Sequence, residues 1–521
     1  MLVRLRPVVH ATPTPNGLHL RGWASSCTLT GGAGLWKVWQ RLAPQLAAGI
    51  PASELGVPDG TSPAVRAAVE LILEQLREHD MLVSVPEDWG ADAPTPEIAA
   101  WLESVAADPA EAWRRLRGVT ITVCGSGVLA GAAVRAATAA GLAVQQETAV
   151  RPPNQTTNTD PSTRQPGSGE LTVHTDDLFV EAGCGAETGY VLPPTTRGLS
   201  SVNTEVTKLA EHLGPGEPTE VLAALIASAA IHRLVCAAAG LPDPSTEFVV
   251  HPGESQQEPI YPMALVAHLD PLRATYHPLL TGPAPEDPWR ALDALTDPEL
   301  GPVDTPQFGD LPQVPANLAT SGNALGIGTT ADSARLDAAL NAVKADGVIG
   351  LGQTHARGTA LRLAARFKKG EPVHDWATSP TARRWWKALT LRFAIPAEAQ
   401  VERLAPGVFK AEIRHGNRIL AWAVEATAGD AAAFAALAAT GYAQAERDGT
   451  AHLNGAAPQR TAEEQPDWVT PEWLWPADVR TREEALQQAL AALPGIEIHQ
   501  MPLAPELQSA GLIAYTVDGA R

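Results

Sequence analysis

The sequence predicts an α/β multidomain protein with an N-terminal winged helix-turn-helix, a central Rossmann-like doubly wound domain and a C-terminal α+β domain. Three observations predict this architecture. The chain of 521 residues is long enough for about three domains of ordinary size. Residues 1–88 alternate strand and helix patterns, and in residues 118–150 a glycine-rich turn joins a strand to a helix and a second strand.

The composition is that of a globular protein with a large negative charge. Apolar residues make up 45% of the chain, and the formal net charge is -20. This charge repels phosphate backbones, so neither nucleic acid nor an anionic membrane is expected as a partner. The four cysteines form no CxxC pair, which argues against a disulfide framework and an all-cysteine zinc site. The N-terminus has no apolar run of signal-peptide length, so we expect a cytoplasmic protein.

Residues 1–88 show the element order of a winged helix-turn-helix. We predict strands in LVRLRPVVH, GLHLRG and SCTLTG, followed by a helix that ends at Gly49 and a short helix at residues 53–55. A longer helix begins at Ser62 and Pro63, and MLVSVP closes the domain as a strand. Such a domain either binds DNA or captures an extended peptide along a strand edge.

The charges of this domain favour the peptide over DNA. A DNA-binding domain needs a basic face, whereas residues 1–88 carry seven basic and eight acidic residues and are near neutral. The basic residues are Arg4, Arg6, Arg21, Lys37, Arg41, Arg66 and Arg77, and the acidic ones are Glu54, Asp59, Glu70, Glu74, Glu78, Asp80, Glu87 and Asp88. A DNA-binding regulator remains the alternative interpretation.

The runs GLHLRGWASSCTLTGGAGLWKVWQRLAPQLAAG and SPAVRAAVELILEQLREHDMLV resemble the leader-peptide recognition element of enzymes that modify ribosomal peptides. The resemblance implies that a leader peptide adds as a strand to the third strand and packs on the third helix. Several of the helix positions also lie at core spacing, so core packing is an equally good interpretation for each of them alone. Carried over, the strand residues are Ser26, Cys27, Thr28 and Leu29, and the helix residues are Arg66, Val69, Glu70, Leu73 and Arg77.

The turn C-G-S-G-V-L-A-G lies between a predicted strand and a predicted helix. Gly125 and Gly127 fit the GxGxxG pattern, Ala130 takes the third place and Gly131 follows it. Glu147 ends the next strand, where a ribose would be bound. A nucleotide site and a scaffold that keeps its packing glycines are the two alternatives.

Residues 89–285 resemble a ThiF-type adenylating domain. Working members of that family need an Arg and a Lys for the ATP phosphates and an Asp for magnesium. Here RPPNQTTNTDPSTRQPG lacks the expected Asn-x-x-Arg-Gln run, DLFVEAGCGAE lacks a recognisable Asp motif, and the zinc cysteine pairs are missing. The resemblance therefore implies a degenerate domain without cofactor or metal. The alternative is an ATP-dependent adenylating enzyme that uses the Gly125–Gly131 loop.

Residues 286–318, rich in Pro and Asp, are predicted as a linker, and residues 319–521 resemble a YcaO domain. The resemblance rests on SGNALGIGTTADSARLDAALNAV, RILAWAVEATAGDAAAFAALAATGYAQA and IEIHQMPLAPELQSAGLIAYTVDG. Catalytic YcaO domains hold magnesium-ATP with glutamates on the first long helix. Asn341 and Lys344 occupy such places here, and the chain ends YTVDGAR without a proline-rich tail. We therefore expect a degenerate YcaO-like domain.

Together these resemblances imply a non-catalytic partner protein of azole-forming cyclodehydratases of the thiopeptide type. Such a protein binds the leader of a precursor peptide and presents the core to a separate catalytic YcaO subunit, which carries ATP and magnesium. A homodimer or a heterotetramer is compatible with this role. We predict no catalytic, cofactor-binding or metal-binding residue in this chain.

Three further groups of residues have structural rather than catalytic interpretations. His268, Asp270 and His277 lack a nucleophile at a recognisable spacing, so loop anchoring is expected. The apolar run at 221–241 predicts a buried helix or a subunit interface. Clustered tryptophans predict core or loop packing, with partner docking as the alternative; they are Trp385, Trp386, Trp468, Trp473 and Trp475.

Overall fold

The chain folds into two compact units. The first comprises residues 1–259 and 263–276, and the second comprises residues 260–262 and 277–521. The structure, a computed structural model, describes residues 1–147, 169–196, 216–248, 261–284, 288–344, 347–447 and 477–517, apart from residues 24, 58 and 59, and in addition residues 209 and 213. The loop predicted at 151–168 and Trp468, Trp473 and Trp475 lie outside the described residues.

The predicted elements of residues 1–88 are present, with three differences. The strand predicted in LVRLRPVVH is limited to Leu2–Leu5, and the strands at His10–Thr14 and Ile50–Pro51 were not predicted. The short second helix is a single 3-10 turn at Ala52–Glu54. Two three-stranded sheets form, with the orders β5-β1-β6 and β2-β3-β4. The elements are β1 (Leu2–Leu5), β2 (His10–Thr14), β3 (Gly17–Arg21), β4 (Ser26–Thr30), α1 (Gly34–Ala48), β5 (Ile50–Pro51), α2 (Pro63–Glu78) and β6 (Leu82–Val85). Their shared core contains Leu18 and Leu20 of β3, Trp39 of α1 and Ile72 of α2.

A buried arginine joins this N-terminal part to helix α3 (Pro96–Val105), which is followed by α4 (Pro109–Arg117). The Arg6 side chain is 5% exposed. It donates to both carboxylate oxygens of Asp80 at 2.9 and 3.0 Å. Its Nη1 donates to the carbonyls of Glu103 and Ala106, at the end of α3, at 3.0 and 2.8 Å. Residues 1–88 are thus bound into the first unit rather than separated from it.

The central sheet confirms the predicted strand-helix-strand unit. Strands β7 (Thr120–Gly125) and β8 (Ala143–Glu147) are parallel and are joined by α5 (Gly127–Ala139). Helix α5 packs against α6 (Glu220–Ala239) on one face of the sheet. The strand order is β14-β13-β11-β10-β9-β7-β8, with β12 beside β10. The remaining strands are β9 (Glu170–His174), β10 (Leu178–Cys184), β11 (Thr188–Val191), β12 (Thr195–Thr196), β13 (Met263–His268) and β14 (Arg273–Pro278).

The prediction of a doubly wound Rossmann-like sheet is wrong for the described strands. The pairs β7–β9, β9–β10, β10–β11 and β11–β13 are all antiparallel. Three-residue turns, closed by hydrogen bonds from the amides of Thr175 and Gly185, connect β9 to β10 and β10 to β11. Such short turns can join only antiparallel neighbours, because a parallel pair needs a long crossover connection.

Helix α6 is long and apolar enough to cross a membrane by length and composition. Of its most apolar window, 56% is buried inside the structure, so it is a core helix of the first unit, as predicted. Its Arg233 is 1% exposed and donates to the Asp243 carboxylate at 3.1 and 3.0 Å and to the Val191 carbonyl at 3.2 Å. This buried ion pair ties the end of α6 to the sheet.

The second unit combines helices with antiparallel sheets, so the mixed α/β character is confirmed. Its sheets have the orders β15-β16, β17-β23-β22 and β18-β19-β20-β21. Its strands are β15 (Asn317–Ser321), β16 (Ala324–Gly328), β17 (Val348–Leu351), β18 (Glu371–Pro372), β19 (Glu398–Ala405), β20 (Val408–His415), β21 (Arg418–Glu425), β22 (Ile498–Met501) and β23 (Leu512–Val517). Its helices are α7 (Pro288–Leu295), α8 (Ala331–Ala342), α9 (Gln353–Arg366), α10 (Pro380–Lys387), α11 (Ala428–Arg447), α12 (Ala477–Ala491) and α13 (Pro505–Ser509).

The linker predicted at 286–318 is instead part of the second unit. Helix α7 buries Leu292 and Leu295 in a core shared with Leu336 of α8 and Leu512 of β23. The proline and aspartate content suggested a linker, but apolar residues at helical spacing between the prolines decide the packing. The boundary between the two units lies near residue 276 rather than 285.

A fully buried ion cluster stands in the second unit. Arg362 of α9 is 0% exposed and donates to Glu425 of β21 at 3.1 and 3.3 Å and to Glu483 of α12 at 2.8 and 2.8 Å. Burial acts to lower the pKa of Arg362, but the two carboxylates raise it above its usual value. Arg362 therefore stays charged, and one cation binds three elements together.

Next to this cluster, the buried His355 makes the stability of the second unit depend on pH. Its Nδ1 accepts the Leu351 amide at 3.0 Å, which requires a neutral ring. Burial, and then the charge of Arg362, lower its pKa from 6.5 to about 3.

We expect His355 to stabilise the fold fully above its unfolded pKa of 6.5, and less and less as the pH falls from 6.5 towards 3. In that window the unfolded chain binds a proton that the folded chain does not, which costs at most about 1.4 kcal/mol per pH unit. Urea titrations across this range should show a shallower loss of unfolding free energy for His355→Gln than for the native chain. Substitution of the exposed His415 by Gln is the control, and equal slopes for all three proteins would contradict the assignment.

Candidate functional site

Strand β4 forms one edge of the β2-β3-β4 sheet among the described strands. Two backbone hydrogen bonds flank the pairing of β4 with β3. The Gly22 amide donates to the Ser25 carbonyl at 2.8 Å, and the Gly31 amide donates to the Asn16 carbonyl at 2.9 Å. In an antiparallel pair, hydrogen-bonded and non-hydrogen-bonded positions alternate. These two bonds therefore decide which backbone groups of β4 face β3 and which face outward.

The outward backbone groups belong to Ser26, Thr28 and Thr30. Cys27 and Leu29 are the positions that bond to β3. Their side chains also face the core, where Leu29 is 4% exposed. Burial, and then the charge of Glu78, raise the pKa of the half-buried Cys27 thiol. Of the four strand residues predicted from the sequence, Ser26 and Thr28 thus present open backbone groups, and sequence reasoning missed Thr30.

The opposite edge of the same sheet, β2, is different. By the same alternation, the outward residues of β2 are Ala11 and Pro13. Proline has no amide hydrogen, so β2 offers one outward donor where β4 offers three. The β4 edge is therefore the better template for an added strand.

The predicted helix residues form one stripe along α2. Arg66, Glu70 and Arg77 are half-buried to exposed, and none of them forms an ion pair with another described residue. Val69 and Leu73 point into the core cluster that also contains Leu29 of β4. The side chains of Leu73 and Leu29 are thus structural, whereas the charged members of the stripe are open to a ligand.

The glycine turn has the predicted local structure, since β7 ends at Gly125 and α5 begins at Gly127. A Cβ at Gly125 would lie 3.1 Å from the Glu170 carbonyl oxygen of the neighbouring strand β9. Gly127 has φ +73°, which favours glycine at the turn. Ala130, in the third glycine position, is fully buried. Packing and turn geometry therefore account for the glycines at 125 and 127.

Three potential metal ligands lie beside this turn. The Cys124 Sγ is 3.8 Å from Glu147 Oε2 and 3.6 Å from His174 Nε2, and the three ligand atoms lie within 4.8 Å of one another. Burial, and then the carboxylate of Glu147, raise the pKa of the Cys124 thiol. No metal residue was predicted, because the three residues share no local spacing: they are 23 and 50 positions apart from Cys124.

In the second unit, the positions where the sequence lacks glutamates lie at the end of helix α8 and just after it. The Asn341 amide donates to the Leu325 carbonyl at 3.1 Å. Asp337, 4% exposed, accepts the Ile327 amide at 2.8 Å. Both side chains therefore fasten α8 to strand β16, while Lys344 is exposed.

The other groups singled out in the sequence have packing contacts. The ring Nδ1 of His277 lies 3.0 Å from both carboxylate oxygens of Asp297, whose Oδ1 also accepts the amides at 299 and 300. This arrangement anchors a loop, as expected. Trp385 is 2% exposed in the core between α10 and α11. Trp386 packs edge-on against Trp376, with ring centroids 5.5 Å apart.

Among known proteins, the chain resembles solved structures of low sequence identity. No family model matches the chain, and no curated protein matches it. A heterocyclase in complex with substrate and cofactor is 13% identical, with TM-score 0.49 and coverage of 100% of this chain and 95% of that chain. The heterocyclase TruD is 13% identical, with TM-score 0.46 and coverage of 100% and 94%. MccB of E. coli with ATP is 9% identical, with TM-score 0.34 and coverage of 53% and 97%.

These likenesses are remote, with identities of 13% or less and TM-scores below 0.5. The function proposed next therefore rests on the backbone geometry of β4, the side chains near it and the sequence motifs.

Proposed function

We propose that this chain is the non-catalytic, leader-binding partner of a YcaO-type cyclodehydratase that forms thiazolines or oxazolines in a ribosomal peptide. The observation that carries the proposal is the edge of β4, with three outward backbone positions and no proline. An extended leader peptide pairs with Ser26, Thr28 and Thr30 by main-chain hydrogen bonds. The sequence motifs of this region resemble leader-recognition elements, and they independently suggest the same strand.

The side chains near the strand would determine which leader binds. Trp23, in the turn before β4, is 51% exposed and offers an apolar contact of the kind enriched at interfaces. On α2, the charged stripe offers Arg66 and Arg77 as partners for acidic side chains and Glu70 for a basic one. Main-chain pairing supplies affinity, and these side chains supply register. The fitting ligand is a peptide with an apolar residue and acidic residues spaced along one strand.

In this proposal the chain acts by tethering. A bound leader keeps the core of the precursor near the active site, so each ring closure becomes an intramolecular encounter. The catalytic YcaO subunit supplies ATP and magnesium, and this chain alone hydrolyses no ATP. Packing and turn geometry explain the glycines at 125 and 127, and the Asn341 side chain donates to a backbone carbonyl. Both observations support the non-catalytic role.

We expect Thr28→Pro to weaken leader binding while Thr28→Val does not. Both variants lose the 2.9 Å contact between the Thr28 hydroxyl and His19, but only proline removes the outward amide. Loss of that donor is expected to weaken binding about tenfold, because a peptide carbonyl is left without its partner. Proline is tolerated at an outward position of an edge strand, so the fold should persist.

Fluorescence polarisation measures the effect with labelled synthetic peptides that cover the N-terminal segments of short open reading frames found beside the gene of this chain. Absence of binding to the native chain would overturn the proposed function. Equal affinity of the Pro and Val variants would leave a leader-binding protein but remove β4 as the site. Leu29→Ala is a poor probe, since its buried side chain affects stability instead.

A further inference from the structure

The group formed by Cys124, Glu147 and His174 lies on three adjacent strands, and His174 pairs with Thr122 of β7, two positions before Cys124. Cys124 is paired with Glu147 across the parallel β7–β8 ladder, and His174 ends β9 on the other side of β7. Residues Val123 and Val173 point the other way and belong to the hydrophobic core. Because side chains alternate along a strand, the three polar groups share the face opposite that core.

The spacing of the three ligand atoms matches a metal site. A tetrahedral zinc ion with a bond to sulfur of about 2.3 Å and bonds to nitrogen or oxygen of about 2.0 Å has sulfur-to-ligand edges of about 3.5 Å. The observed distances from Cys124 Sγ are 3.6 Å to His174 Nε2 and 3.8 Å to Glu147 Oε2. The two sulfur edges are therefore within a few tenths of an ångström of this geometry, and the Glu147 and His174 ligand atoms lie within 4.8 Å of each other.

The orientation of His174 is a second, independent observation. Its Nδ1 lies 3.0 Å from the Thr175 carbonyl oxygen, which can only accept, so Nδ1 carries the hydrogen. The Nε2 lone pair of the neutral ring then faces Cys124. Metal-binding histidines are commonly held in this way, with the distal ring nitrogen donating to a backbone carbonyl. The ring also stacks on Phe179, with centroids 5.0 Å apart, which limits its rotation.

We propose that Cys124, Glu147 and His174 bind one zinc-class divalent cation, with the fourth coordination position open to water or to a ligand from solution. One sulfur, one nitrogen and one carboxylate oxygen are a ligand set that zinc accepts. The ion would link the edge strand β8 to β7 and β9 beside the Gly125 turn. This site lies on the central sheet and does not depend on the peptide-binding role of β4.

Cobalt titration of the metal-free full chain tests the site. We expect Co²⁺ to produce a thiolate-to-cobalt charge-transfer band together with the strong visible bands of tetrahedral Co²⁺, saturating at one equivalent, and Zn²⁺ to abolish both. Cys124→Ser should remove the charge-transfer band. Glu147→Gln and His174→Gln should weaken binding by more than about 100-fold, since even second-shell partners of metal sites are worth roughly 10–100-fold.

Cys27→Ser is the matched control, because Cys27 is also a free, half-buried cysteine on a strand but lies outside the cluster. It should leave the cobalt spectrum unchanged. Zn²⁺ should also raise the unfolding temperature of the native chain and of Cys27→Ser, but not of Cys124→Ser. The proposal is overturned if the native chain gives no spectrum of tetrahedral Co²⁺. It is also overturned if Cys124→Ser and Glu147→Gln both bind Co²⁺ as tightly as the native chain does.

Discussion

Replacing Arg362 by Met is expected to lower the free energy of unfolding of the second unit by about 3–5 kcal/mol, the usual cost of breaking a buried ion pair by removing one partner. The guanidinium of Arg362 pairs with both Glu425 and Glu483, and all three side chains are at most 2% exposed. Without it, two carboxylates face each other in a dry interior. They must either repel each other or bind a proton, and both outcomes destabilise the fold.

Two further variants should destabilise the second unit less than Arg362→Met does. Glu483→Gln keeps the shape and one hydrogen bond, and it leaves Arg362 paired with Glu425, so a smaller loss of about 1–2 kcal/mol is expected. Arg403→Met breaks the exposed pair with Glu371, 52% and 75% exposed, and should cost less than about 1 kcal/mol.

Urea titration combined with hydrogen exchange in helix α9 reads out the local unfolding free energy. Equal values for Arg362→Met and Arg403→Met would show that the buried cluster does not hold the unit together. If Arg362→Met does not fold, the comparison of Glu483→Gln with Arg403→Met still decides the matter.

Replacing Arg6 by Met is expected to lower the free energy of unfolding of the N-terminal part of the first unit by about 3 kcal/mol. The substitution removes a bidentate bond to Asp80 and the donors of the buried carbonyls of Glu103 and Ala106. Each buried acceptor left without a partner costs about 1–3 kcal/mol, and hydrogen bonds to a charged group are worth more than neutral ones. Because Asp80 is 82% exposed, its share of the effect is screened by solvent, and the carbonyls account for most of the loss.

Arg41→Met is the matched control, since Arg41 is exposed on α1 and forms no ion pair with a described residue. Hydrogen exchange should show faster opening of α3 in Arg6→Met than in Arg41→Met. A similar exchange pattern in both variants would mean that Arg6 does not hold α3 against residues 1–88. Faster opening would show that Arg6 is a main link between residues 1–88 and α3, beside the Arg4–Glu103 ion pair at 2.9 Å.

Much of the local structure could be predicted from sequence patterns. Alternating apolar residues in GLHLRG and SCTLTG place β3 and β4, and Gly49 ends α1 as expected. The start of α2 at Pro63 follows from its proline. These predictions succeed because they depend on neighbours within a few residues. The error in the central sheet has the opposite origin, since the glycine turn at 125 predicted one parallel pair correctly but carried no information on the strands after β8.

Periodicity and turn residues were therefore sufficient for β3, β4, α1 and α2, and β4 is the strand where a peptide is proposed to bind. Tertiary structure alone decided three further points. It showed that the backbone of Thr28, rather than that of Leu29, faces outward; that Arg362 and its two carboxylates meet in the core; and that Cys124, Glu147 and His174 converge on one face of a sheet. These outcomes depend on strand register and on contacts between residues 23 to 121 positions apart, which leave no periodic signal in the sequence.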